Sequence, residues 1–102
     1  MKGVVIVSGC RTAIGKHGGA FRDIPAQELA ATVLEEAVKR ADIDPHIIDD
    51  VILGCIGQQS DAPNIGRVAA LMAGIPAHVP GYTVQRNCVS GMMSISNAYQ
   101  AI

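Results

Sequence analysis

With 102 residues, 49% of them hydrophobic and 17% charged, the chain amounts to one domain at most, or part of one, and reads as globular rather than disordered. Its 8 Lys and Arg against 9 Asp and Glu leave a formal net charge of -1, so there is no basic field to attract nucleic acid, and a small or neutral partner is expected. No apolar stretch approaches the ~20 residues of a membrane span, the N-terminus lacks a signal h-region and an Arg-rich transit pattern, and 3 widely separated cysteines form no disulfide framework; no membrane association and a cytoplasmic location are expected.

Gly3-Val4-Val5-Ile6-Val7-Ser8 is a β-branched apolar run without alternation, the pattern of a strand buried on both faces of a parallel sheet. Gly9 to Pro25 holds Gly15, Gly18 and Gly19 with little periodicity and reads as a long loop. From Ala26 to Ala41, Leu29, Ala30, Val33, Leu34, Ala37, Val38 and Ala41 mark one helical face, with Glu35/Lys39 and Glu36/Arg40 paired at i,i+4 on the other. Asp44-Pro45 predicts an N-cap and a single helical turn through Ile48.

Val51-Ile52-Leu53-Gly54-Cys55-Ile56 repeats the pattern of the first strand, so that the helix between them predicts a βαβ unit with a right-handed crossover. Pro63-Asn64 opens a further helix through Ala73, stopped by Gly74 with Pro76 beyond. Tyr82 to Gln85 reads as a short third strand. A last helix follows, with Met92, Ile95, Ala98, Tyr99 and Ile102 at helical spacing as its anchoring face. Three strands with apolar residues on both faces and about three helices give thin cover. The last helix also stops on Ala101-Ile102 without a glycine, a basic turn or a polar tail, so the chain is expected to be part of a larger fold.

The loop after the first strand invites comparison with a phosphate-binding loop, but Gly9 and Gly15 are separated by five residues instead of four, and His17 follows Lys16 where a metal-coordinating Ser or Thr should stand. Gly18-Gly19 then replace the helix start on which an anion would sit. Cys10 and Cys55 follow strand ends but precede no helix, and read as packed structural thiols. His17 and His46 read as surface residues and His78 as an ordered loop residue; with the cysteines they match no zinc spacing, and no metal is expected.

Cys88 is different. It lies in Thr83-Val84-Gln85-Arg86-Asn87-Cys88-Val89-Ser90-Gly91-Met92-Met93, after an extended segment and before an apolar helix. At a helix start, unpaired backbone N–H groups and the positive end of the dipole favour thiolate over thiol, and the small Ser90 and Gly91 leave room for a substrate. A buried structural cysteine is the alternative.

Three segments together resemble the N-terminal portion of a thiolase, along the whole chain: Val4-Val5-Ile6-Val7-Ser8-Gly9-Cys10-Arg11-Thr12-Ala13-Ile14-Gly15-Lys16, Asp50-Val51-Ile52-Leu53-Gly54, and Asn87-Cys88-Val89-Ser90-Gly91-Met92. The resemblance implies an α/β, thiolase-like fold in which residues 1–102 form an incomplete, nucleophile-bearing part of the N-terminal domain, with parallel or mixed strands covered by helices. It also implies acyl-CoA and coenzyme A as substrates, no cofactor, a homo-oligomer (dimer or tetramer) and a place in fatty acid metabolism. Cys88 becomes the catalytic residue, taking the acyl group of an acyl-CoA, its own N–H helping to hold the oxyanion.

Two positions depart from the family pattern: Ala13 stands where proline is common, and Val89 where glycine, alanine or serine is, narrowing the acyl pocket. The family's histidine base, second cysteine, Asn-Glu-Ala-Phe segment and coenzyme A loop lie further along such chains, so these 102 residues alone are expected to turn over little substrate. A ketoacyl synthase-like condensing enzyme and a noncatalytic assembly module are the competing readings.

Overall fold

A computed structural model describes residues 3–102. Helix α1 spans Ala26–Ala41, as its periodicity predicts, and ends where Asp42 turns into the left-handed region (φ 52°) and its N–H reaches the Lys39 carbonyl at 3.1 Å. Of the two i,i+4 pairs, Glu36–Arg40 forms at 2.8 Å; among the described residues Glu35 and Lys39 do not pair. A single 3-10 turn follows at Pro45–Ile47, with the Asp44 carboxylate accepting from the His46 N–H at 2.9 Å, the predicted cap.

Strand β1 (Val51–Gly54), helix α2 (Ile65–Met72) and strand β2 (Gly81–Val84) form one parallel βαβ unit, in register Val51↔Gly81 to Gly54↔Val84. The opening of α2 is tied to β2 by a polar network. The Thr83 hydroxyl donates to Asn64 Oδ1 and accepts from the Gly66 N–H, each at 2.9 Å, while Asn64 Nδ2 donates to the Gly81 carbonyl at 3.1 Å. Asn64 holds a left-handed φ of 51° to make those bonds, and Gly66 lets α2 sit close on the strand, since a Cβ there would lie 2.9 Å from the Tyr82 carbonyl carbon. Val51, Ala70, Ile75 and Val79 are buried together beneath α2, with Leu34 and Ile48 against them.

Helix α3 (Ser90–Ala101) covers the opposite face of the sheet, and α1 packs on α2, so the order of layers is α3, sheet, α2, α1. This is the α/β architecture expected, with two corrections. Gly3–Ser8 forms no strand. The Ser8 hydroxyl bonds the Ala37 carbonyl at 2.7 Å and Cys10 Sγ the Val33 carbonyl at 3.2 Å, laying the segment along α1, while Val5, Ile6 and Val7 stay exposed. A strand exists only through its ladder, and among the described residues none pairs with this run. The βαβ unit therefore runs through α2, where the sequence reading had placed it through α1.

The second correction concerns α3. Met92, Ile95, Tyr99 and Ile102, read as its anchoring face, point to solvent; the face toward the sheet carries Ser90 and Asn97, whose Nδ2 donates to the Tyr82 hydroxyl at 3.3 Å. The periodicity located the helix correctly but marked an apolar stripe with no partner among the described residues. The consequence is visible in the surface, 7203 Å² where a compact monomer of this mass exposes about 5,500 Å². No helix among the described residues is long and apolar enough to cross a membrane.

Candidate active site around Cys88

β2 delivers the chain to the carboxyl end of the parallel sheet, where the ladder runs one bond further, from the Cys55 N–H to the Val84 carbonyl at 3.1 Å. Open α/β sheets bind ligands at this end. The chain then reverses over Gln85 to Val89 and enters α3 at Ser90. Cys88 thus stands in the turn itself, one residue before the N-cap Val89.

The turn is held from below. Asn87 takes a left-handed φ of 49°, which asparagine tolerates better than most residues. The Val89 N–H reaches the Arg86 carbonyl and the Ser90 N–H the Asn87 carbonyl, both at 3.2 Å. The Ser90 hydroxyl closes the structure by accepting from the Arg86 N–H at 2.8 Å and donating to the Asn87 carbonyl at 2.7 Å; Gln85 Oε1 accepts from the Asn87 N–H at 2.7 Å.

Cys88 itself is exposed, and its sulfur makes no hydrogen bond among the described residues. Val89 supplies no side-chain cap to α3, and the N–H groups of Gly91 and Met92 have no acceptor among the described residues. A Cβ added at Gly91 would meet nothing within 4 Å, so the space above the helix start is open. The arrangement pairs an accessible thiol with uncommitted backbone donors, the combination a nucleophile forming an oxyanion requires.

Ser90 corrects the sequence reading in one respect. Its side chain is buried, 5% exposed, and ties the turn from beneath. Gly54 also belongs to the site. A Cβ there would fall on the Ser90 carbonyl and 2.6 Å from the Gly91 nitrogen, so the end of β1 and the start of α3 touch through bare backbone. A glycine inside a strand pattern is the signal that could have found it.

The other candidates lie elsewhere. Cys10 is half-buried against α1, and Cys55 is half-buried with its thiol on the Gly57 carbonyl at 3.5 Å. His46 and His78 stack with ring centroids 5.9 Å apart in the segments entering β1 and β2, at the end of the sheet opposite Cys88. A groove of about 570 Å³ between α3 and β1, lined by Asp50, Ile52, Ile95 and Ala98 among others, also lies toward that end.

A family model described as thiolase, N-terminal domain, matches residues 4–102. Probable acetyl-CoA acyltransferases of Staphylococcus aureus and Staphylococcus epidermidis are each 44% identical over 102 residues, covering 100% of this chain and 26% of theirs. The crystal structure of the Bacillus anthracis acetyl-CoA acetyltransferase superposes with a TM-score of 0.89 at 50% identity, over 92% of this chain and 24% of that one. The chain spans about a quarter of the length of the relatives it matches.

Proposed function

The chain belongs to the thiolase family, and we propose that it carries, in Cys88, the acyl-accepting nucleophile of an acyl-CoA acyltransferase. The observation that carries this reading is an exposed thiol in a braced turn at the carboxyl end of parallel strands, beside free N–H groups at the start of α3. Residues 1–102 are then the nucleophile-bearing part of an N-terminal domain that the rest of the protein completes.

Cys88, as thiolate, attacks the carbonyl carbon of an acyl-CoA thioester. The carbonyl π pair moves onto oxygen, and backbone N–H groups at the helix start, including that of Cys88, stabilise the oxyanion. When the carbonyl reforms, the bond to the coenzyme A sulfur breaks, coenzyme A leaves as a thiolate that takes up a proton, and the acyl group remains on Cys88. In condensation the α-carbon of acetyl-CoA loses a proton and attacks the acyl carbonyl, and the bond to the Cys88 sulfur breaks to return the thiolate. In thiolysis Cys88 attacks the 3-keto carbon of a 3-ketoacyl-CoA, the C2–C3 bond breaks, acetyl-CoA leaves as an enolate that takes up a proton, and the acyl group then passes from Cys88 to the sulfur of coenzyme A, whose proton is removed. The proton transfers call for a base and a second cysteine outside these residues, so the 102-residue chain alone is inactive.

Acyl-CoA and coenzyme A are the only small molecules this chemistry needs. By resemblance the whole protein is a cytoplasmic homo-oligomer without a cofactor. The test is a steady-state thiolysis and condensation assay on the full-length protein. Loss of both activities in Cys88→Ala is expected; a variant that retained them would refute the assignment.

A further inference from the structure

We propose that Ser90 is a positioning residue for Cys88, its buried hydroxyl fixing the turn that presents the sulfur. The inference rests on Cys88 being the nucleophile, the reading given above, but its own test does not depend on acyl transfer.

The geometry is specific to this hydroxyl. Arg86 and Asn87 precede Cys88 and Ser90 follows it, so a group that bonds the Arg86 N–H at 2.8 Å and the Asn87 carbonyl at 2.7 Å closes a ring around the cysteine. Both functions of the hydroxyl are used, one as acceptor and one as donor. Ser90 is 5% exposed, so bulk water does not replace it readily. The ring also holds Asn87 in the left-handed region at φ 49°.

Ser90 reaches back across Cys88 to the two residues before it, while its own carbonyl lies against Gly54. The helix start is thereby fixed to the sheet on one side and to the turn on the other. Cys88 has no hydrogen bond of its own among the described residues, so its direction relative to the Gly91 and Met92 N–H groups is inherited from this brace. Small displacements of a reacting group carry large rate penalties, on the order of 100-fold for 1 Å.

The experiment compares Ser90→Ala and Ser90→Thr with the unaltered full-length protein. It measures the iodoacetamide alkylation rate at each of Cys10, Cys55 and Cys88 by peptide mass spectrometry, together with kcat and KM. Ser90→Ala is expected to slow alkylation at Cys88 about tenfold, the equivalent of one lost hydrogen bond, and to lower kcat more than it raises KM. Cys10 and Cys55 should react as before, and Ser90→Thr, which keeps the hydroxyl, should restore both readouts.

An unchanged Cys88 rate in Ser90→Ala, or an equal change at all three cysteines, would overturn the proposal. Should Ser90→Ala fail to fold, amide exchange in the unaltered protein decides: the Arg86 N–H is expected to be protected, and exchange as fast as that of an open loop contradicts the brace. If acetyl-CoA leaves no label on the unaltered protein while Ser90 still controls alkylation, the acyl-transfer reading fails and the positioning role stands.

Discussion

Gly54 and Ser90, 36 positions apart in sequence, meet backbone to backbone: the carbonyl of Ser90 occupies the space a side chain on Gly54 would fill. The end of β1 is in this way the floor on which the Cys88 turn stands. Gly54→Ala should push the start of α3 off the sheet. The obstruction is backbone, which yields poorly, so the loss of stability should reach the upper end of the roughly 1–3 kcal/mol typical of overpacking. Urea denaturation checks this, and a variant as stable as the parent would show that the contact is not tight.

Thr83 ties α2 to β2. In Thr83→Val the buried Gly66 N–H loses its acceptor and Asn64 Oδ1 its donor, while the shape of the side chain is kept. A cost of about 1–3 kcal/mol is expected, with faster amide exchange at Gly66 and little change at the Cys88 end of the sheet. Exchange measured by mass spectrometry would contradict this if the change were spread evenly over the chain.

Much of this was legible in the sequence, and the failures share one cause. The α1 helix, the Asp44 cap, the Gly74 stop and the strand–turn–helix around Cys88 are local features, written in periodicity, capping and glycine placement. Gly3–Ser8 and the stripe of Met92, Ile95, Tyr99 and Ile102 were misread because apolar pattern reports that a face is to be buried, not what buries it. Ser90 and Gly54 were misjudged because side-chain size is visible in a sequence and hydrogen-bond direction is not.

Two exposed carboxylates contribute to the acid side of the stability profile. Glu36 is held below the ordinary carboxylate range mainly by its hydrogen bond from Arg40, and Asp44 by the backbone and side-chain bonds of His46. A folded-state value below the unfolded one stabilises the fold above the unfolded value, and that contribution disappears as pH falls through the folded value. Stability should therefore be insensitive to these groups from neutral pH down to the ordinary carboxylate range and decline below it. Asp44→Asn and Glu36→Gln should each flatten the acid limb of urea midpoints plotted against pH. Unchanged slopes in both variants would show that the bonds are absent in solution.

Val89 caps α3 beside the nucleophile and is half exposed. As a branched side chain one residue from the sulfur, it is expected to limit acyl length. Val89→Ala in the full-length protein should raise kcat/KM for longer acyl-CoA over acetyl-CoA, by up to about tenfold, since only part of the side chain's size bears on the pocket. Competition between two acyl-CoAs of different length reads this ratio directly, and an unaltered ratio would exclude Val89 from the acyl pocket.

The central claim is that an acyl group is carried on the sulfur of Cys88. Its most direct test is brief exposure of the full-length protein to acetyl-CoA, acid quenching and peptide mass spectrometry. One acetyl group on the peptide containing Cys88, released by added coenzyme A and absent from Cys88→Ala, is the predicted result. An unlabelled Cys88, or a label that settles on Cys10 or Cys55 instead, would contradict it.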